Sequence, residues 1–259
     1  RFQRKPEGIW LAETAVDTET LEVLAEQGLQ FTILAPRQAK AIRKIGENTW
    51  LPTEGENVPT HRPYLCKLPS GKQIVLFFYQ GAISQDIAFK GLLGDGNRFA
   101  QSILSSFQPQ IHEDQLCHVA TDGESYGHHH RHGDMALAYC LDAEYLSHHK
   151  PCWEVEIHEN SSWSCVHGIE RWRAHCSCNS GMHPQWNQHW RGPLRETFDW
   201  LRDKLNLVFE NEVGLFCQDV WQLRNQYIEV ILNRGEQCLE TFLRGNCTAD
   251  LSEKEKTHL

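Results

Sequence analysis

Two short apolar runs in this sequence each end in carboxylates. Gly8-Ile9-Trp10-Leu11-Ala12 leads into Glu13, and Leu116-Cys117-His118-Val119-Ala120 leads through Thr121 into Asp122-Gly123-Glu124. An acid at the C-terminal end of a strand is where β/α barrels put catalytic groups. Such a residue is more often a solvated side chain or a helix partner, so Glu13 alone does not decide the matter. The second run continues through Gly127 into His128-His129-His130-Arg131-His132. Its glycines let the backbone turn sharply. Three readings fit it: an acidic turn beside a solvated His tract, a metal site using Asp122 and the histidines, or a catalytic carboxylate. A third cluster holds Cys165, His167, Cys176 and Cys178. Thiolate and imidazole together suit zinc, although C-x-H and C-x-C are not the common C-x2-C spacing, and buried free thiols are the competing reading. Four protein ligands on one ion leave no position for water, so a zinc here would pin the 160–190 segment and not catalyse. Trp10, Trp163 and Trp172 are candidates to stack on sugar faces, or else core.

These groups need a frame. Asp17 is placed to cap a helix over 18–27 that Gly28 closes. Leu29–Leu34 reads as a strand stopped by Pro36, Gln38–Ile45 as a helix, and Trp50–Arg62 as a loop. Tyr64–Leu68 and Gln73–Tyr79 flank Pro69-Ser70-Gly71-Lys72, a hairpin turn. Asp86–Leu93, Arg98–Ser106 and Asp134–Leu146 read as helices, Leu116–Ala120 and Trp153–His158 as strands. Short apolar strands alternating with amphipathic helices predict parallel β/α units. Beyond an irregular segment over 160–191 the pattern turns helical, with Arg195–Phe209 and Val220–Phe242 as two long helices. Leu194, Phe198, Leu201, Leu205 and Phe209 form one apolar stripe, and Val220, Leu223, Tyr227, Ile231 and Leu232 another; both are assigned to packing. The expected organisation is an α/β domain over 1–190 and a helical extension over 191–259.

Composition removes several classes. The 259 residues carry 25 Lys+Arg against 34 Asp+Glu, a net charge of −9, with no basic cluster. That argues against binding nucleic acid or an anionic membrane. No apolar run approaches the roughly 18 residues of a spanning helix. Ten cysteines spread over this length read as reduced thiols, and the expected compartment is cytoplasmic. The chain opens without Met or a targeting composition, and so reads as part of a longer protein.

Taken together, Trp10-Leu11-Ala12-Glu13 and Asp122-Gly123-Glu124-Ser125-Tyr126-Gly127 resemble two motifs of the glycoside hydrolase family 57 catalytic domain. Ser162-Trp163 and Trp172 resemble a further one, with Ser164-Cys165-Val166-His167 where that motif commonly has glycines and an acid. The stretch Glu7–Asp17, the Gly-Glu-Ser-Tyr-Gly-His-His run and Trp186-Asn187-Gln188 are similar to a bacterial branch with an extra C-terminal domain of unknown function. The resemblance covers about 8–200. It implies an incomplete, seven-stranded-type β/α barrel followed by helices, without the family's first strand and its His-Gln-Pro-type motif. It also implies a retaining two-carboxylate mechanism on an α-glucan-like oligo- or polysaccharide, by hydrolysis or transfer, with no cofactor needed for catalysis. Glu13 is then the nucleophile and Asp122 the acid/base, with Glu124 and His128 binding hydroxyls or orienting Asp122. Two other classes stay open: a metal-dependent polysaccharide deacetylase using Asp122, histidines and a metal-bound water, and a non-catalytic, zinc-stabilised carbohydrate-binding protein. Glu13 separates the first two, since a deacetylase has no use for it.

Overall fold

The computed structural model describes residues 4–141, 152–178, 183 and 185–247, in two compact units, Arg1–Trp172 and Arg173–Leu259. In the first unit a seven-stranded sheet comprises β1 (Gly8–Ile9), β2 (Phe31–Leu34), β3 (Ala39–Lys44), β4 (Leu51–Pro52), β5 (Tyr64–Lys67), β6 (Gln73–Phe78) and β7 (Trp153–Ile157). Their order across the sheet is β1-β2-β6-β5-β7-β3-β4. The β1–β2, β2–β6 and β5–β7 pairs are parallel, the other three antiparallel. No pairing among the described residues joins β4 back to β1, so the sheet is a mixed α/β layer with two edges.

The expected local signals are present where side chains act on their own backbone. Asp17 accepts from the Thr20 amide at 2.8 Å and opens α1 (Thr18–Glu26). Gly71 takes φ 85° in the turn that pairs β5 with β6. The core of this unit gathers Leu21 and Leu24 of α1 onto Leu34, Tyr64, Ile74, Leu76, Phe78, Val155 and Ile157 of the sheet. A second cluster, Ile87, Leu92, Leu93, Phe99 and Ala136, joins α2 (Gly81–Phe89), α3 (Gly96–Leu104) and α4 (Gly133–Leu141). The part of the last helix expected beyond Leu141 lies outside the described residues. Buried Glu154 of β7 sits between Arg43, 2.5 Å away, and Lys67. Burial pushes its carboxyl up, but the bonds from Lys67 and Arg43 outweigh burial and hold it below its ordinary value.

Two expectations fail here. Residues 39–44 form the strand β3, not a helix, with Ala39 and Ala41 buried and Lys40 exposed between them. Ala, Lys and Arg favour helix intrinsically. Antiparallel pairing with β7 overrides that preference, because half-buried fit and ladder bonds decide strands. Leu116–Ala120 joins no ladder. The β6 strand beside it gives way to α2, leaving single bonds such as Gln80 N–H to His118 O at 2.9 Å.

A short turn, α5 (Glu170–Arg173), begins in the last residues of the first unit and its final residue, Arg173, is the first of the second. The second unit contains α6 (Arg191–Val213), α7 (Val220–Gln226), α8 (Ile228–Leu232) and α9 (Glu236–Asn246). The single helix expected over 220–242 is broken into three, the last break falling at Asn233-Arg234-Gly235. The core of this unit is small: Val213, Cys217, Val220 and Leu223, with Phe209 and Phe242 against them. Most of the expected α6 stripe is therefore not core. Leu194, Phe198, Leu201 and Leu205 are all exposed, whereas Phe209 packs. Helices α7–α9 are too short to cover 23 residues of α6 and meet its C-terminal end. In the second stripe Val220 and Leu223 are buried, but Tyr227, Ile231 and Leu232 are exposed. No helix among the described residues is long and apolar enough to cross a membrane.

Candidate active site

Three parallel neighbours, β1, β2 and β6, release the chain at the same edge of the sheet. Glu13 follows β1, Arg37 follows β2 and Tyr79 follows β6. Crevices beyond the carboxyl ends of parallel strands are where α/β sheets bind ligands. Asp122 reaches that edge on the extended 116–122 stretch. His118 O accepts from Gln80 N–H, and the Ala120 amide donates to Ser84 Oγ at 3.1 Å. The result is a cleft of about 450 Å³ lined by Glu13, Arg37, Glu56, Tyr79, Gln85, Asp122, Trp163 and Arg171, among others.

Glu13 sits in a tight turn after Leu11, at φ 57°, and Thr14 follows at φ 49°. Two successive residues with side chains in the left-handed region cost on the order of 1–3 kcal/mol each unless their surroundings enforce it. The surroundings here are specific. Val16 and Ser161 exchange backbone bonds of 3.1 and 3.2 Å, and Trp163 N–H donates to Glu13 O at 3.1 Å. Gln38, fully buried, holds Thr14, Ala35 and Ser161 together through one amide. The 160–169 loop closes through Ile169 N–H to Asn160 O at 2.9 Å. Gly168 lies in that closure at φ 59°, and a Cβ there would stand 2.0 Å from Asn160 O.

Of the other residues expected at the site, Trp163 lines the cleft and donates Nε1–H to Glu13 Oε2 at 3.2 Å. Trp10 packs edge to face on Trp163 at 5.1 Å and is a second step from the cleft. Glu124, His128 and Trp172 are not among the residues that line it. Glu124, His128 and His129 form an exposed cluster, with stacked His rings 4.8 Å apart. Asp122 is not part of that cluster, so the histidines and Asp122 do not form the deacetylase-type ligand set. Cys165 Sγ lies 3.7 Å from His167 Nδ1 in the first unit. Cys176, buried, and Cys178 belong to the second unit, where Cys176 Sγ donates to Gln188 Oε1 at 3.6 Å.

The sequence reading missed Arg37, Glu56, Tyr79 and Arg171. The signal for two of them was available, because Arg37 and Tyr79 follow the apolar runs of β2 and β6 as Glu13 follows β1. Arg37 Nε is buried with no hydrogen-bond partner among the described residues, a donor ready for a ligand oxygen. Burial pushes the Tyr79 phenol up to about 12, with Arg37 opposing. Burial pulls His118 down to about 4, so at neutral pH it puts no positive charge on this stretch.

The comparisons with known proteins agree with this architecture. The model of glycosyl hydrolase family 57 matches residues 1–161, and a domain of unknown function, DUF3536, matches residues 186–259. The chain belongs to glycosyl hydrolase family 57. No curated protein matches it. Among solved structures, an exo-type maltose-forming amylase from Pyrococcus sp. ST04 is similar over 94% of this chain and 45% of its own, at 18% identity and TM-score 0.57. A family 57 branching enzyme from Thermococcus kodakaraensis, solved with glucose and additives, is matched over 66% of this chain and 44% of its own. Its identity is 20% and its TM-score 0.47. The chain thus spans less than half the length of these two structures.

Proposed function

We propose that this chain carries the reaction centre of a retaining glycoside hydrolase or transglycosylase acting on an α-glucan-like polysaccharide. One observation carries the reading: Glu13 and Asp122, distant in sequence, line the same cleft at the carboxyl edge of parallel strands. Family membership and the fold likeness to a maltose-forming amylase point the same way. In this mechanism Glu13 attacks the anomeric carbon while Asp122 protonates the departing glycosidic oxygen. Asp122 then takes a proton from the water that hydrolyses the glycosyl ester, or from the acceptor hydroxyl in transfer. Trp163 flanks the reacting sugar, and Trp10 supports it. Glu124, His128 and Trp172 do not line the cleft, and as substrate-binding residues they would meet only the outer parts of a long substrate. We further assign residues 1–190 to the catalytic domain, its sheet being the wall of an incomplete β/α barrel, and 191–259 to a helical extension.

The test is an assay of the full-length protein on amylose, starch, glycogen and maltooligosaccharides, with Glu13→Gln as control. Shortened or rearranged glucans are expected, released first as the α-anomer and abolished in the variant. A folded parent protein inactive on the whole panel, or an inverted first product, would overturn the reading.

We also propose that Cys165, His167, Cys176 and Cys178 bind a structural zinc. The soft donor set and the 3.7 Å Cys165–His167 spacing support it, since ligands of one tetrahedral zinc stand roughly 3.5 Å apart. About one zinc per chain is expected by elemental analysis of protein purified without chelator, and none in a Cys176→Ser, Cys178→Ser variant. A parent protein without zinc refutes the assignment.

A further inference from the structure

Trp163 approaches Glu13 through its polar edge. Its indole N–H reaches Glu13 Oε2 at 3.2 Å, and its backbone N–H reaches Glu13 O at 3.1 Å. The ring plane is fixed by edge-to-face packing on Trp10 at 5.1 Å and on Tyr79 at 6.2 Å, so the direction of the N–H is fixed too. An indole offers one donor and no acceptor. We propose that Trp163 is a positioning residue for the nucleophile, its indole N–H holding Glu13 Oε2 so that Oε1 is the oxygen that attacks. The proposal rests on the reading of Glu13 as nucleophile and goes beyond it, because it moves Trp163 from a sugar platform to a partner of the reacting carboxylate.

The chemistry gives this bond work in both half-reactions. In the first, Glu13 Oε1 forms a bond to the anomeric carbon as the glycosidic C–O bond breaks and the proton of Asp122 goes to the leaving oxygen. Oε2 becomes the carbonyl oxygen of the glycosyl ester and still accepts from the indole. In the second, water bonds to the anomeric carbon, its proton passes to Asp122, and the ester C–O bond breaks. The carboxylate that departs is again held at Oε2. A donor already in place where charge resides in the transition state needs no reorganisation at the moment of reaction. The left-handed backbone at Glu13 and Thr14 makes such a tether necessary, since relaxation of that turn would rotate the carboxylate out of line.

The experiment uses the full-length protein and a maltooligosaccharide substrate. Trp163→Phe keeps a ring and deletes the donor. Loss of one hydrogen bond to a charged group corresponds to a fall in kcat of about 10- to 100-fold, with KM within about 3-fold of the parent. A benzothienylalanine in place of Trp163 keeps the two-ring shape, lacks the N–H and should reproduce the same split; it decides the matter if the Phe variant is unfolded by circular dichroism. A raised KM with kcat unchanged would show a stacking platform and overturn the proposal. So would parental kinetics in the benzothienylalanine variant while Glu13→Gln is inactive; the nucleophile then stands and only the tether falls. Parental turnover in Glu13→Gln removes the nucleophile reading itself, and this role with it.

Discussion

An Asp122→Asn enzyme is expected to lose roughly three orders of magnitude in turnover on a natural glucan, and far less on a glucoside with an acidic leaving group. General acid–base catalysis by a positioned carboxyl contributes about 10²- to 10⁴-fold. The amide keeps the shape of the side chain but can neither supply nor take the proton. A dinitrophenyl leaving group departs without protonation, so the first half-reaction survives while the second, which needs a base for water, does not. The glycosyl-enzyme should then accumulate and appear as a mass increment on the intact protein. Azide needs no general base, so it should restore turnover in this variant, leave the parent unaffected and yield a retained glycosyl azide. The fold is expected to tolerate the change. Asp122 acts structurally through its backbone carbonyl, which accepts from the Ser125 amide at 3.0 Å, and its side chain makes no capping bond. A loss below about ten-fold on glucan, or no dependence on the leaving group, would place the acid elsewhere in the cleft, with Glu56 the first residue to examine.

How far the sequence reveals this arrangement follows from the range of the interactions involved. The cap at Asp17 and the turn at Gly71 are local, and a few neighbouring residues carry them. Glu13 and Asp122 stood out because each follows an apolar run and because their flanking residues form motifs. The helix expected over 38–45 failed since nothing within those residues encodes the partner, β7, that makes them a strand. Leu116–Ala120 has the composition of a buried strand, but beside it β6 has already given way to α2. The α6 stripe has helical period and still lies open over much of its length, because periodicity records which face could be buried and not what lies against it. Glu56 comes from an irregular loop and Arg171 from the four-residue turn α5, too short to show a period. Gln38, which organises the turn under the nucleophile, looks in the sequence like any helix-forming polar residue.

That last residue carries the largest stability effect expected in the molecule. Replacing Gln38 with Met, close in shape but without the amide, should destabilise the protein by about 3–5 kcal/mol. The Gln38 side chain is fully buried, and its Oε1 accepts from Thr14 Oγ1 at 2.8 Å and from the Ala35 amide at 2.8 Å. Its Nε2 donates to Thr14 O at 2.7 Å and to Ser161 Oγ at 3.1 Å. The substitution deletes all four bonds and leaves two backbone groups and the Thr14 hydroxyl buried beside a thioether, while the half-buried Ser161 hydroxyl loses one donor. Each buried polar group left without a partner costs about 1–3 kcal/mol. The hydroxyls can turn to other acceptors, and Thr14 Oγ1 has Glu13 O at 2.7 Å, so the backbone pair, Ala35 N–H and Thr14 O, should carry most of the loss. A total stability of about 5–15 kcal/mol makes that a large fraction. Denaturant titration should show a lower midpoint at unchanged slope. Turnover should fall further than the folded fraction explains, because the same amide keeps Thr14 and its neighbour Glu13 left-handed, and their relaxation would swing the carboxylate away from the anomeric carbon. A loss under about 1 kcal/mol with parental turnover would mean that water takes over the amide's four bonds, and that the turn under Glu13 is enforced by the Val16–Ser161 bridge and Trp163 alone.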